Sequence, residues 1–254
     1  MYKQNRYRFP DAIEVEQYHT GKYGAPGQKR EAPANATPEQ IQRRNDLNKK
    51  IRCRRKLRAH FTAGDYFATL TYRKDARPEN MDQAVEDWKK FIRKVRKEYQ
   101  KRGAELKWIR NIEVGTKGAW HIHMVINRIP DTDEIIDEAW GHGMTDFKHI
   151  RKLGDMEKIA SYITKSPRTE KRLAESSYSS SRNLPIPKPE TRVIMRWPTW
   201  QEPIVKKGWY LDKESMHEGI NPVTGYRYRT YTLLRLKGGE SEAVDRIHIR
   251  GSGR

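Results

Sequence analysis

Two strand-like segments, Leu106–Val114 and Trp120–Asn127, stand either side of the short turn Gly115-Thr116-Lys117-Gly118, and this pair constrains the fold more than any other feature of the chain. A connection this short makes the segments antiparallel neighbours, and the two-residue period of a strand then decides which side chains share a face. With the turn centred on Lys117, Glu113 stands opposite His121 and Asn111 opposite His123. A slip of one residue would turn Glu113 away from the imidazoles. Around this hairpin the chain alternates. Tyr66–Tyr72 is rich in β-formers, and Met81–Arg102 carries Val85, Trp88, Ile92, Val95 and Tyr99 at helical spacing. Residues 131–140 read as a short helix, Met144–Ile150 as a strand, and Asp155–Lys165 as a helix ended by Ser166-Pro167. The order β-α-β-β-α-β-α over residues 66–167 predicts an α+β domain on a ferredoxin-like split βαβ antiparallel sheet.

The flanks read as extensions, basic at both ends. Residues 1–65 form an N-terminal arm and helix, with an aperiodic Gly/Pro/Ala stretch over 19–36. Thr37-Pro38-Glu39-Gln40 then supplies an N-cap hydroxyl, a proline at N1 and a glutamine at N3. The helix that follows runs to about His60 with nine Lys/Arg against two acids, either as a track for phosphates or as a solvated face. Beyond Pro167, residues 168–236 read as a strap and a terminal β-hairpin. Residues 176–181 (SSYSSS) look flexible, the three prolines of Leu184–Pro189 suit an extended segment, and Trp209–Leu211 and Tyr226–Leu236 flank a turn at 221–225. Residues 237–254 read as a disordered tail.

Charge narrows the function classes. Lys and Arg number 52 against 33 Asp and Glu, a net charge of +19, with the excess concentrated at the two ends. The partner that suits such a chain is a polyanion, nucleic acid foremost. No apolar run reaches membrane-spanning length and the first residues lack a secretory pattern, so the expectation is a soluble cytoplasmic protein with no membrane partner. A single cysteine, Cys53, leaves no internal disulfide and no thiolate zinc site, so any metal must be held by histidine and carboxylate.

Such a set exists. His121 and His123 point to one face of their strand, with Glu113 across from them, and two imidazoles with one carboxylate leave coordination positions open, as catalytic metals require. Thiolate-free N/O ligands suit Mg²⁺ or Mn²⁺, which would polarise a phosphoryl oxygen. The plainer reading is a His-x-His that merely lines a polar face. On the last helix, Met156, Ile159, Ala160 and Ile163 form an apolar stripe, and Lys158, Tyr162 and Lys165 lie along the stripe beside it. A phenol with an ordinary pKa near 10 is only about 0.1% ionised at neutral pH, so a nucleophilic Tyr162 needs cationic help, which Lys165 could supply. Its plainer reading is a half-buried tyrosine between solvated lysines.

Taken in order, Phe67-Ala68-Thr69-Leu70-Thr71, His121-Ile122-His123 and Tyr162-Ile163-Thr164-Lys165 resemble the three motifs of rolling-circle replication initiators of the HUH superfamily, over roughly residues 66–165. The resemblance implies the HUH endonuclease fold and a metal-dependent enzyme that nicks and rejoins single-stranded DNA at an origin hairpin. In that scheme Tyr162 becomes joined to the 5′ phosphate, His121, His123 and Glu113 are the ligands, and Lys165 assists. Lys158 occupies the position where a two-tyrosine enzyme carries its other tyrosine, so one nucleophile is implied, with Tyr178 a remote second candidate. The motif order sets the chain apart from relaxases, and His142 and His149 are outside possibilities as ligands. No G-x-x-x-x-G-K-[ST] occurs, so unwinding falls to a host helicase and synthesis to a host polymerase. Arg110, Lys117, Arg151, Lys152, Lys158 and Arg168 are candidate phosphate contacts, and Trp120, Trp197 and Trp200 are candidates for base stacking or for core packing. A non-catalytic basic DNA- or RNA-binding protein on the same fold is the competing class.

Overall fold

The computed structural model describes residues 1–20, 37–151, 155–221 and 224–236. The predicted elements form in the predicted order. They are β3 (Tyr66–Thr71), α2 (Met81–Lys101), β4 (Trp108–Gly115), β5 (Trp120–Ile126), α3 (Thr132–Trp140), β6 (Thr145–His149) and α4 (Met156–Ile163), preceded by α1 (Pro38–His60). β3 and β4 run parallel with β5 inserted between them, antiparallel to both, which is the split βαβ arrangement. With β7 (Leu173–Ser180) the sheet has five strands in the order β6-β3-β5-β4-β7. The register is the one expected from the turn: Glu113 opposes His121 and Asn111 opposes His123.

The sheet separates its residues by alternation. Ala68, Leu70, Ile112, Ile122, Met124 and Ile126 are buried with Trp88, Phe91 and Val95 of α2 and Ile135, Ile136 and Trp140 of α3. On the opposite face, Ile109 and Val125 pack with Cys53, Leu57 and Phe61 at α1 and with Met156, Ala160 and Ile163 of α4. At one end the close approach needs glycine: a Cβ at Gly143 would overlap the Thr71 carbonyl.

Three departures from the sequence reading concern the flanks. The serine-rich stretch 176–181 is not flexible; most of it lies in β7, which pairs along β4. The open edge of β4 offers unsatisfied backbone groups, and satisfying them outweighs the weak strand preference of serine. The N-terminal residues are also ordered: β1 (Tyr2–Arg8) and β2 (Ala12–Tyr18) join β8 (Glu190–Ile194), β9 (Trp209–Ile220) and β10 (Arg227–Arg235) in a second antiparallel sheet, ordered β8-β1-β2-β10-β9. The two segments read as separate extensions therefore meet, because the partners of β1 and β2 lie at the far end of the chain and no local pattern announces them. The terminal hairpin forms as expected but is longer, with a bulge near Thr230–Thr232. The aperiodic stretch at 21–36 and the tail at 237–254 lie outside the described residues.

Helix α1 joins the two sheets. Its capping box is complete, Thr37 accepting from the Gln40 amide and Gln40 reaching back to the Thr37 amide. Much of its positive charge is internal. Arg54 Nε, Arg55 Nε and Arg58 Nη1 lie 2.8, 2.9 and 2.7 Å from the Glu14 carboxylate of β2. Arg54 also reaches Glu157 of α4 at 2.6 Å, with Lys50 on the same carboxylate at 2.5 Å. Arg43, Arg44 and Arg52 remain exposed. Burial pushes the Glu14 carboxyl up, but the guanidiniums outweigh it and bring it down to about 2. Because that is below the unfolded value near 4.5, the stabilisation is fully present above pH 4.5 and is lost as pH falls toward 2. Glu14→Gln is expected to cost about 3–5 kcal/mol at neutral pH, since it leaves buried guanidiniums without a counter-charge. Urea denaturation should show the gap to the wild type closing as the pH is lowered through that window.

Candidate active site

The face of the sheet that α1 and α4 cover only in part carries the candidate residues. β4 and β5 bring Asn111, Glu113, His121 and His123 to it, β3 adds Phe67 and Thr69, and α4 lays Tyr162 across it. The Tyr162 hydroxyl is 3.3 Å from His123 Nε2. The two rings meet edge to face with centroids 4.9 Å apart, and Tyr162 remains 43% exposed.

Each of these groups is held by a neighbour. Thr69 Oγ1 lies 3.1 Å from His123 Nδ1; in the tautomer that donates Nδ1–H to Thr69, Nε2 turns a lone pair toward Tyr162 and Glu113. Glu113 Oε2 is 3.6 Å from that Nε2 and 2.9 Å from Lys165 Nζ. Lys165 also stands 3.9 Å from the centre of the Tyr162 ring. Asn111, fully buried, donates to Glu113 Oε1 at 2.8 Å and to the Lys165 carbonyl at 3.1 Å. It thereby ties the carboxylate to the end of the helix that carries Tyr162. The start of the same helix is tied to α1 through Glu157, so α4 is restrained at both ends.

The electrostatics keep both imidazoles neutral. Burial, Lys165 and His121 together bring His123 down to about 3, and burial with Lys165 and Arg77 lowers His121. Burial raises the Glu113 carboxyl against the opposing pull of Lys165 and Asn111. Two neutral imidazoles beside a carboxylate are the donor types a divalent ion takes. Among the described residues, however, no group of three or more His, Cys, Asp or Glu is gathered closely enough to hold an ion as the side chains stand. By donor type His121, His123 and Glu113 would suit a divalent cation, but Lys165 Nζ already satisfies Glu113 and would compete with it.

The remaining candidates separate. Lys117, Arg151, Lys158 and Arg168 are exposed and free to meet phosphate, while Lys152 lies outside the described residues. Arg110 is a correction: one position out of phase with the site, it is buried on the α2 side. There it stands 5.7 Å from the Trp88 ring and donates to the Ser177 carbonyl and, at 3.0 Å, to Ser177 Oγ. Burial lowers it to about 10. Tyr178 is no second nucleophile, because it packs with the Cys53 cluster and burial pushes its phenol far up. The Cys53 thiol is likewise buried and raised to about 12. His142 is engaged with Tyr72 and Trp140, and His149 with Tyr66 and the Gly64 carbonyl; neither joins the site. Trp120 and Trp200 are buried, and Trp197 alone of the three stays exposed. Sequence reasoning passed over Thr69 and Phe67 as functional groups; the signal was the alternation Phe67, Thr69, Thr71, opposite Val125, His123 and His121.

Arg110→Ala is therefore expected to lower stability by about 2–3 kcal/mol in urea denaturation. It should leave unchanged the slope of log affinity against log salt for single-stranded DNA, whereas losing one phosphate contact reduces that slope by about 0.7.

A model of the replication-associated protein ORF2 family matches residues 65–167, which run from the start of β3 to just beyond α4 and hold every residue of the site. No curated protein and no solved structure is significantly similar to the chain. Among the described residues no helix is long and apolar enough to cross a membrane.

Proposed function

We propose, from the match of residues 65–167 to the replication-associated protein ORF2 family, that the protein initiates rolling-circle replication by nicking and rejoining single-stranded DNA. The observation that carries this reading is the 3.3 Å approach of the Tyr162 hydroxyl to His123 Nε2, with Glu113 and Lys165 beside it. In the reaction the Tyr162 oxygen bonds to the scissile phosphorus as the bond from phosphorus to the 3′ oxygen breaks. The 5′ phosphate stays on the tyrosine, and the departing 3′ oxygen takes up a proton and serves as a primer; the reverse attack rejoins the strand. Burial keeps His123 Nε2 unprotonated at neutral pH, so its lone pair is available to an ion, and the phenol proton passes to solvent at the exposed Tyr162. Lys165 has an ammonium close enough to both Glu113 and Tyr162 to balance charge building on the phosphate. A divalent ion, Mg²⁺ or Mn²⁺, held by His121, His123 and Glu113, would polarise the phosphoryl oxygen and orient the phosphate. Single-stranded DNA at an origin hairpin is the substrate in this reading, with a host helicase unwinding the duplex and a host polymerase extending the primer.

Incubation with Mn²⁺ and single-stranded DNA from the region flanking its own coding sequence is expected to yield a covalent adduct that survives denaturing electrophoresis. Tyr162→Phe should abolish the adduct while the urea midpoint stays near that of the wild type. An adduct that persists in this variant overturns the assignment of the nucleophile, and an inert wild type supports the binding-only class instead. Thr69→Val removes the partner of His123 Nδ1, and calorimetry should find Mn²⁺ bound about 10–100-fold more weakly.

A further inference from the structure

Beside Tyr162 the sheet face does not end at the histidines. A groove of about 460 Å³ opens between the β6 edge and α4, with Phe67, Phe147, Ile150 and Ile159 as apolar lining and Lys148 and Arg151 as cations. Phe67 and Lys148 are direct cross-strand partners, so ring and ammonium stem rise from the same face. The Phe67 ring meets Tyr162 edge to face at 5.7 Å and lies nearly parallel to His123 at 6.0 Å, so the groove begins where the reacting phosphate would sit. Phe67 is only half-buried. Arg151 is exposed, and Lys148 has only a loose partner, Asp146 at 3.9 Å. His149 and Asp155 complete the lining, and Asp155 is its one acid.

An aromatic face with aliphatic walls and cations at the mouth is complementary to one kind of ligand: a nucleobase entering the cleft while its phosphates stay outside on lysine and arginine. We propose that this groove is the subsite for the unpaired base next to the scissile phosphate, stacked on Phe67, with Lys148 and Arg151 on the adjoining phosphates. The proposal rests on the reading of Tyr162 as the nucleophile toward single-stranded DNA. Stacking accepts any base, so this subsite sets geometry at the cleavage point, and sequence choice is left to other surfaces.

The test uses the full chain and fluorescently labelled dT20 as the probe. Phe67→Ala is expected to weaken binding about tenfold, within the range of one lost base–aromatic stack, Phe67→Leu nearly as much, and Phe67→Trp to restore it. Lys148→Ala with Arg151→Ala should reduce the salt slope. Because Phe67 adjoins the core, photocrosslinking of the unaltered protein to an oligothymidylate substituted with 5-iododeoxyuridine supplies an independent readout. An adduct on the peptide bearing Phe67 supports the subsite, whereas crosslinks confined elsewhere overturn it. Unchanged affinity in both Phe67→Ala and the double lysine–arginine variant, in a protein that still binds dT20 and still forms the Tyr162 adduct, also overturns the subsite and leaves the proposed function standing. Failure of the wild type to bind dT20 would instead remove the reading on which the subsite rests.

Discussion

Glu113 faces His121, and Asn111 faces His123, in the ladder that β4 makes with β5, and the placement of the candidate residues on both strands inherits that register. Moving the ladder by one residue would put the imidazoles and the carboxylate on opposite faces, with one of the two sets in the apolar layer beneath α2 and α3 and either Ile112 or Ile122 at the surface. Burial of those isoleucines with Met124 and Ile126 therefore enforces the chemistry on the opposite face. Arg110 illustrates the same rule from the other side. One step out of phase, it is carried into the α2 layer and bonded to β7, whatever its charge would have suited it to do.

Alignment of the Tyr162 phenol is a separate problem, because Tyr162 sits on a short helix with few backbone bonds of its own. Eight residues of helix are not stable alone. Packing of Met156, Ala160 and Ile163 fixes its face, Arg54 and Lys50 hold Glu157 near its start, and Asn111 holds the Lys165 carbonyl just past its end. Since Arg54 also bonds Glu14, the position of the phenol is coupled to the sheet formed by the two ends of the chain. A buried carboxylate surrounded by three guanidiniums contributes little net energy beyond what apolar packing would give, but it tolerates only one arrangement of the elements that meet there. Orientation is therefore what this network adds.

Lys165 has two neighbours of opposite demand. It neutralises Glu113 and caps the face of the Tyr162 ring. A cation bound between the histidines and Glu113 would have to compete with that ammonium. The pair accordingly holds a carboxylate and an ammonium ready in a partly buried site where neither would be stable alone.

Much of the unit from β3 to α4 was legible in the sequence because its determinants are local. The capping box of α1, the apolar stripe of α4, the amphipathic α2 and the turn between β4 and β5 depend on residues within a few positions of each other, and the register that pairs Glu113 with His121 follows once the turn is centred on Lys117. What tertiary structure decided is everything whose partner is distant in the chain. β1 and β2 find β8 and β10 more than 150 residues away, a serine-rich stretch becomes a strand because β4 has an open edge, and arginines that look like a phosphate track fold inward onto Glu14. The positions of the Thr69 hydroxyl, the Phe67 ring and the Asn111 amide belong to this second group. Hydrogen bonds and ring contacts are made between strands and a helix far apart in the chain, and periodicity can say which face a side chain takes but not what it meets there.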